Sequence, residues 1–324
     1  MKRQTVMTDD RRLSQMAGVA VFFALVVIAL GAFTRLLDAG LGCPDWPGCY
    51  GHLVPSAEGS SASFVAYKAW AEMIHRYAVA VLGFLMVGIV LRIVCLKPLR
   101  TLQNGMLAGG LVGLLVYQVL LGQQTVTLRL WPVVVTQHLL GGFLILSCLW
   151  LVFLNASRRV ASQCSPVLFA AGLGAALLLL VQIVLGAWTS TNYASLSCPD
   201  FPFCLNDQTL HYQFAAAFHI HPAGQNFEGG VLPLPVRQTI QMMHRLGACV
   251  VAIVLLALSV TVVLREHSKA TKPALLILAL LPVQICLGIV NVLFQLPPGT
   301  AVCHTVIAAL LLLAVITLVK RVCP

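Results

Sequence analysis

Four histidines lie near the starts of long apolar stretches of the chain: His75, His138, His244 and His304. A histidine inside a membrane-spanning helix is costly to bury and is usually functional. One such residue could be explained as a packing residue, but four in equivalent places are difficult to explain in that way. Because neutral imidazole is a common metal ligand, the set predicts metal coordination.

The histidines form two pairs, and each pair suits a flat metal macrocycle better than a bare metal ion. The members of a pair lie a few residues inside segments that start from the same face: His75 with His138, and His244 with His304. Two imidazoles at one depth across a helical bundle can hold a haem between them. Zinc, the alternative, normally takes four ligands with cysteine or carboxylate among them. We therefore expect two haems, one for each pair.

The residues around the first histidine of each pair differ in charge. Arg76 and Arg245 directly follow these histidines and suit haem propionates through charge-assisted hydrogen bonds, with an interfacial anchor as the alternative. Glu72 lies three residues before His75, on the same helical face, whereas its counterpart in the second pair is Gln241. This difference predicts one reactive site and one electron-transfer site. The alternative is an acid placed at a helix N-terminus by the helix dipole.

Two short cysteine loops have almost the same sequence, CPDWPGC from Cys43 to Cys49 and CPDFPFC from Cys198 to Cys204. The prolines inside each loop favour a turn that brings the two sulfurs together. We expect a disulfide within each loop, Cys43–Cys49 and Cys198–Cys204. The remaining cysteines are expected to be free thiols: Cys95, Cys148, Cys164, Cys249, Cys286, Cys303 and Cys323.

Long apolar segments must position these residues. The 324-residue chain is 59% hydrophobic and only 9% charged, which excludes an ordinary soluble domain with about 25% charged residues. Eight runs are close to the roughly 20 residues that cross a bilayer as a helix: 16–34, 72–94, 106–125, 132–154, 166–188, 240–264, 273–293 and 300–319. Because backbone polar groups cannot stay unpaired in lipid, we predict an all-α integral membrane protein with eight transmembrane helices.

The distribution of basic residues predicts the orientation. Of the 20 lysines and arginines, 14 fall at the termini and in the turns after the second, fourth and sixth spans: Lys2, Arg3, Arg11, Arg12, Arg92, Lys97, Arg100, Arg158, Arg159, Arg265, Lys269, Lys272, Lys320 and Arg321. The positive-inside rule makes that side cytoplasmic, so both termini lie inside. The net charge of +10 therefore orients the protein in the bacterial inner (plasma) membrane, and we predict no nucleic-acid partner.

The long loops, about 35–71 and 189–239, then lie on the outer, periplasmic face, and both cysteine pairs are in them. This compartment is oxidising, which supports the expected disulfides. The same loops contain four histidines that we interpret as solvated residues: His52, His211, His219 and His221.

The chain also repeats itself. GAFTR and EMIHRY near the first loop match GAWTS and QMMHRL near the second, and QVLLGQQTV at 118–126 matches QICLGIVNV at 284–292. Each outgoing segment ends in Leu-Gly-x-x-Thr or Leu-Gly-x-x-Asn, and each returning segment contributes one of the four histidines. Glycines there allow a neighbouring backbone or a flat ligand to approach closely. We predict a tandem duplication: two pseudo-symmetric four-helix bundles, 1–160 and 161–324, in the same orientation.

These motifs resemble those of the haem A synthase family of membrane enzymes. The similar stretches are GAFTRLLDAGLGCPDWPGCYG, EMIHRY, TQHLLGG, QMMHRLG and VCHT, in the same order along nearly the whole chain. The resemblance implies a bacterial-type member with a cysteine pair in both outer loops. It implies an eight-helix oxidoreductase that converts a ring methyl group of haem O to the formyl group of haem A.

The resemblance also implies roles for residues of the N-terminal half, which takes the substrate. Glu72 matches the essential carboxylate of the family, and His75 and His138 match its substrate-side histidines. Cys43 and Cys49 match the loop pair that is associated with activity.

In the C-terminal half, the resemblance implies a bound haem b cofactor through which electrons leave the substrate. His244 and His304 match its axial ligands, and Cys198 and Cys204 match a pair that some members lack. The expected partners are haem O, membrane lipid, haem O synthase and cytochrome oxidase assembly proteins, and the question of a homo-oligomer stays open.

Three other functions explain part of the pattern. A di-haem b membrane cytochrome that only transfers electrons explains the four histidines but not the difference between Glu72 and Gln241. A protein that delivers haem without chemistry predicts that Glu72→Gln still delivers haem normally. A membrane thiol-disulfide oxidoreductase explains the cysteine loops and leaves the histidines unexplained.

Overall fold

The computed structural model describes residues 2–56, 65–157, 164–204, 212–265 and 269–323. The helices in these ranges are α1 (Lys2–Leu36), α2 (Ala66–Cys95), α3 (Leu102–Thr127), α4 (Pro132–Ala156), α5 (Pro166–Thr191), α6 (Phe214–Ala217), α7 (Leu234–Leu264), α8 (Thr271–Leu293) and α9 (Pro298–Val322). A 3-10 turn, Lys97–Leu99, joins α2 to α3. Arg158, Arg159, His211 and the predicted boundary between 160 and 161 lie outside the described residues.

Eight helices in the described part of the chain are long and apolar enough to span a membrane, as the hydropathy predicts. Every helix except the four-residue α6 is among them, with the span of α1 beginning at Asp9. The helices α2 and α7 each begin six residues before the apolar runs that mark them, at Ala66 and Leu234. Hydropathy marks only the part of a helix in contact with lipid. The extra turns of α2 pack against the first cysteine loop, and those of α7 pack against Ala194, Ala217 and Leu232 of the second long loop.

The spanning helices form two rings with the same order of neighbours. In the first ring α1 packs on α2, α2 on α3, α3 on α4 and α4 on α1; in the second ring α5, α7, α8 and α9 follow the same order. The rings join through α1, α4, α5 and α9, and one apolar core runs through both. As a result, α2 lies diagonally across from α4, and α7 lies diagonally across from α9.

The four outgoing helices α1, α3, α5 and α8 end in the same turn. In each, a backbone amide returns to the carbonyl of the threonine or asparagine in the Leu-Gly-x-x-Thr/Asn motif: Ala39 to Thr34 at 2.9 Å, Leu130 to Thr125 at 2.8 Å, Ala194 to Thr189 at 2.9 Å and Leu296 to Asn291 at 2.7 Å. Each turn contains a residue with positive φ, such as Asp38 at 48° and Tyr193 at 52°. This left-handed ending satisfies carbonyls at the helix terminus, so the repeated motif also marks where each helix stops.

The prediction that Cys164 and Cys323 are free thiols is wrong. The structure joins them in a disulfide, with their Cα atoms 4.3 Å apart. Because α5 and α9 are neighbours, the start of one and the end of the other come together, and the Ser165 amide donates to the Val322 carbonyl at 3.3 Å. No shared motif links two cysteines that are 159 residues apart. The distribution of basic residues also predicts that this end of the protein lies in the cytoplasm, where thiols stay reduced. The remaining five are free thiols, as predicted: Cys95, Cys148, Cys249, Cys286 and Cys303.

Candidate functional site

Each ring of helices brings one pair of histidines together across its interior. His75 on α2 faces His138 on α4, and His244 on α7 faces His304 on α9, with the imidazoles of each pair within electrostatic range of each other. All four residues are half-buried. Because the two histidines of a pair come from diagonally opposite helices, their imidazoles enter the bundle interior from opposite sides. A planar ligand held between two imidazoles requires this arrangement.

A glycine on the preceding helix makes room for each of these imidazoles. A Cβ atom added to the glycine would lie 3.0 Å from the histidine Cε1 at Gly31 and His75, 3.5 Å at Gly122 and His138, 3.0 Å at Gly186 and His244, and 3.2 Å at Gly288 and His304. A side chain at Gly31, Gly186 or Gly288 would therefore press on the ring, and one at Gly122 would come into van der Waals contact with it. The sequence analysis expected a neighbouring backbone or a flat ligand next to these glycines, and the structure instead places a histidine side chain there.

The free ring nitrogens fit the expected haem. Among the described residues, Nδ1 of three histidines is buried without a hydrogen-bond partner: His75, His138 and His304. The described residues contain no group of three or more histidine, cysteine, aspartate or glutamate side chains that could hold a metal ion, so they offer no ligand set for a zinc site. Two facing imidazoles in each ring match the two axial positions of a haem iron.

Glu72 holds the first cysteine loop on α2. Its side chain is 5% exposed, accepts a hydrogen bond from the Cys43 backbone amide at 2.9 Å, and forms an ion pair with Arg76. The loop lies so close to α2 that a Cβ on Gly42 would be 2.6 Å from the Lys68 backbone. The carboxylate is therefore buried beneath the loop, one helical turn from the first histidine pair.

Gln241 holds the second loop on α7 in the same way, without a charge. Its Oε1 accepts from the Cys198 amide at 2.7 Å and from the Ser197 hydroxyl at 3.0 Å. Its Nε2 donates to the Ser195 carbonyl at 2.7 Å. The structural task of the two residues is thus the same, and only Glu72 adds a negative charge.

The two arginines are engaged with the same loops. Arg76 donates to the carbonyls of Asp45 and Pro47 at 3.0 and 3.2 Å, and Arg245 donates to the matching carbonyls of the second loop at 2.8 and 2.9 Å. Each guanidinium therefore ties its loop to the helix that carries the adjacent histidine. Binding of haem propionates by these residues stays a prediction.

Both predicted loop disulfides are present, Cys43–Cys49 and Cys198–Cys204. The first is sealed from solvent, because Cys43 and Cys49 are 0% exposed and pack against Ala69 and Met73 of α2. A dissolved thiol or reductant cannot reach buried sulfurs without opening the loop. The position of this disulfide therefore favours a brace over a redox group.

The sequence analysis missed a polar cluster that joins the two rings on the loop side. Arg35 donates to Asp38 at 3.0 Å and to the Ser190 carbonyl at 2.6 Å, and its guanidinium lies 4.0 Å from the centre of the Tyr193 ring. Burial raises the pKa of the Tyr193 phenol, which stays protonated and donates to Asp38 at 2.8 Å. The match between GAFTR and GAWTS already paired Arg35 with Ser190, but a sequence match does not show that matched positions touch.

The second long loop also reaches over the first ring. The Trp131 indole donates to the His221 carbonyl at 2.8 Å, the Phe227 amide donates to the Arg129 carbonyl at 3.1 Å, and Lys68 forms an ion pair with Glu228 at 3.4 Å. The segment 212–233 thus covers part of the first half from outside. The other described loop histidines, His52 and His219, are exposed.

Comparisons with known proteins show similarity over nearly the whole chain. The family model described as COX15-CtaA, cytochrome oxidase assembly protein, matches residues 14–316. A heme A synthase of Shewanella oneidensis is 41% identical over 95% of this chain and 96% of its own. Heme A synthases of Methylobacterium radiotolerans and Rickettsia akari are 28% and 25% identical, over 89% and 92% of this chain and 84% and 94% of their own.

Proposed function

The chain belongs to the COX15-CtaA family of cytochrome oxidase assembly proteins, and we propose that it is the oxidoreductase that converts haem O to haem A in its cell. The observation that carries the proposal is the difference between two otherwise matching sites. Each site has a histidine pair, a glycine that makes room for each imidazole, a cysteine loop, and an arginine that ties this loop to the helix. Only the first has a buried carboxylate, Glu72, where the second has the neutral Gln241.

In this proposal His75 and His138 hold the substrate haem O, and His244 and His304 hold haem b. Haem b, when bound, supplies a one-electron carrier that can take electrons from the oxidation. The chain's own contribution would be to hold each haem between two histidines and to exclude water from the loop side. The burial of Cys43 and Glu72 supports such a closed site in the first half.

Converting a methyl group to a formyl group removes four electrons, takes away two hydrogens and adds one oxygen. Protons must therefore leave the substrate site, and positive charge develops at the reacting carbon. Glu72 is the buried acid nearest to the first histidine pair, and a carboxylate there can accept protons or stabilise that charge. Arg76, its ion-pair partner, orients the carboxylate and places a positive charge beside it.

The topology in the membrane is part of the proposal. We place both termini in the cytoplasm and both cysteine loops on the periplasmic face of the inner membrane, with halves 1–160 and 161–324 related by pseudo-symmetry. The shared order of helix neighbours supports this relation. So does the contact between Arg35 and Ser190, because two matched positions meet where a pseudo-twofold axis would pass.

A di-haem electron carrier remains the main alternative, and the bound haems decide between the two. We expect organic extraction of the purified protein, followed by mass analysis, to yield haem B together with haem O or haem A. Haem B alone, from cells that make haem O, would contradict the proposal and favour the electron carrier.

The first loop disulfide gives a prediction with a matched control. A disulfide that closes so short a ring contributes about 2–3 kcal/mol in the chain-entropy model, and Glu72 and Arg76 also hold the loop. We expect Cys43→Ala to leave an assembled protein with normal haem b content and a reduced yield of haem A, because the loop shapes only the first site. Cys198→Ala should instead lower the haem b content, and haem A formation should fall with it. Equal losses of both haems in Cys43→Ala would show that the disulfide stabilises the whole protein instead.

A further inference from the structure

A basic residue precedes the first histidine of each half by seven positions: Lys68 before His75 and Arg237 before His244. Seven residues make nearly two turns of an α-helix, so each cation lies on the same face of its helix as the histidine. Both helices begin on the side of the cysteine loops, and each cation is therefore about 10 Å nearer the loops than its histidine. A cation in this position is a feature that the two halves share.

The contact between α5 and α7 places Arg237 on the loop side of His244. An added Cβ on Gly186 of α5 would lie 3.0 Å from the His244 Cε1. Seven residues further along α5, the Tyr193 carbonyl accepts a hydrogen bond from Arg237 Nη1 at 3.3 Å. The two contacts are separated by the same number of residues on both helices, so Arg237 and His244 both face α5.

Lys68 occupies the corresponding position between α1 and α2. Gly31 of α1 lies against the His75 ring, with an added Cβ 3.0 Å from Cε1. One turn nearer the loops, the Thr34 hydroxyl donates to the Ala71 carbonyl at 3.2 Å. Lys68 lies three residues before Ala71 on α2, and so it comes another turn nearer the loops along the same contact. The repeat thus places a cation at the same height above each histidine pair.

Arg237 has hydrogen-bond donors that the described part of the chain does not use. A guanidinium has five N–H donors, but only Nη1 of Arg237 is bound there, and its Nε is buried without a partner. Within the described residues Arg237 also has no acidic ion-pair partner. In Arg76 and Arg245, by contrast, both Nη atoms already donate to loop carbonyls or to Glu72. Arg237 can therefore bind an added carboxylate without giving up its existing contact.

A haem held by the histidines would bring carboxylates to this height. Each haem carries two propionate groups on one edge of its macrocycle, and a carboxylate is costly to bury in lipid. The loop side is the nearer water surface for His75 and His244, which lie in the loop-side halves of α2 and α7. The propionates must therefore extend along the helix faces that carry the two cations. The ion pair between Lys68 Nζ and Glu228 Oε1, at 3.4 Å, shows that the first position already accepts a carboxylate.

We infer that Lys68 and Arg237 bind the propionate groups of the haems in the first and second halves. The inference rests on the proposed function for the identity of these haems, haem O beside Lys68 and haem b beside Arg237. Arg237 is a planar donor that can bind a carboxylate through two hydrogen bonds, which suits a cofactor that stays in place. Lys68 is a point charge that Glu228 also binds, so the substrate must displace an acid that later helps to release the product.

Haem retention in purified Arg237→Leu tests the assignment in the second half. Leucine removes the charge and the donors, and the loss of a charge-assisted hydrogen bond should speed the transfer of haem b to excess apomyoglobin about 10–100-fold. The resonance Raman band of propionate bending should shift as well, because it responds to hydrogen bonds at the carboxylate. Arg237→Lys keeps the charge and should restore part of the retention. Wild-type haem loss in Arg237→Leu would overturn the inference. Faster loss with an unchanged propionate band would also overturn it, because Arg237 would then only hold the end of α5.

The first half offers two variants with opposite expected results. Lys68→Leu should speed the loss of haem O to apomyoglobin about tenfold and leave the loss of haem b unchanged, because Arg237 is untouched. Glu228→Gln removes the competing carboxylate at nearly constant size and should slow the loss of haem O. Unchanged or faster haem O loss in Glu228→Gln would contradict competition at Lys68. Faster loss of both haems in Lys68→Leu would show a general destabilisation and refute the assignment.

Extraction of haems from the wild-type protein separates failure of the inference from failure of the proposed function. If protein from cells that make haem O contains haem B alone, the proposed function fails, while Arg237→Leu still tests the propionate contact in the second half. If haem O is present and haem loss is the same in all four variants, only the roles of Lys68 and Arg237 are wrong.

Discussion

Replacing Glu72 by glutamine should abolish haem A formation while the protein still folds and binds haem b. The second half shows what this substitution should do to the loop, because Gln241 holds the second cysteine loop through its amide oxygen. In Glu72→Gln the side-chain oxygen can keep its bond to the Cys43 amide, and only the negative charge next to Arg76 is lost. A carboxylate that exchanges protons or stabilises charge is worth about 10²–10⁴-fold in rate.

The measurement is extraction of haems from cells that express the variant, with haem O and haem A separated chromatographically. We expect haem O to accumulate and haem b to stay at its wild-type level in the purified protein. Near-normal haem A would show that Glu72 serves only to hold the loop. Glu72→Ala is the comparison, because it removes the loop contact as well as the charge. Equal defects in both variants, with an intact loop disulfide, would assign the whole effect to the charge.

The membrane architecture could be predicted from sequence because its physical cause is local. Each span is a continuous apolar run, and the bilayer leaves a helix as the only way to pair its backbone. The two loop disulfides could be predicted for the same reason, since only five residues, two of them prolines, separate the cysteines of each loop. The earlier starts of α2 and α7 could not, because those turns are set by packing against loops and not by hydropathy.

The histidine and carboxylate residues could be chosen from sequence, but the contacts that define their surroundings could not. Glu72 meets Cys43, Arg35 meets Ser190 and Cys164 meets Cys323 only after helices that are distant in sequence have packed together. The motif matches placed related residues in parallel positions of the two halves without showing which of them touch.

The internal repeat makes the differences between the halves more informative than the similarities. Both halves share a glycine next to each histidine ring, a left-handed turn at the end of each outgoing helix, a loop disulfide, and an arginine that hydrogen-bonds to the loop. Features that a haem-binding bundle needs in general should occur twice, and features needed for oxidation should occur once. Glu72 is such a difference, because the second half has Gln241 at the matching position, and it lies one helical turn from His75.

Removing the histidines of the second half should eliminate haem b and leave the membrane fold intact. His244 and His304 are the two residues that face each other across the α5–α9 ring, and an alanine offers the iron no nitrogen. The apolar core that runs through both rings does not include these imidazoles, so helix packing should survive the change. We expect His244→Ala and His304→Ala to lose the low-spin haem b absorbance spectrum, while detergent-purified protein elutes at the wild-type position in gel filtration.

The same substitution in the first half should give the opposite result. His75→Ala and His138→Ala should keep haem b and stop haem A formation, because the second pair is untouched. His219→Ala, in an exposed part of the outer loop, is the control and should change neither haem.

Imidazole added to His244→Ala can occupy the space over Gly186 and should restore part of the low-spin spectrum, which a merely misfolded protein would not show. If His244→Ala or His304→Ala retains full haem b with an unchanged spectrum, these residues are not its ligands, and the division of labour between the two halves is wrong.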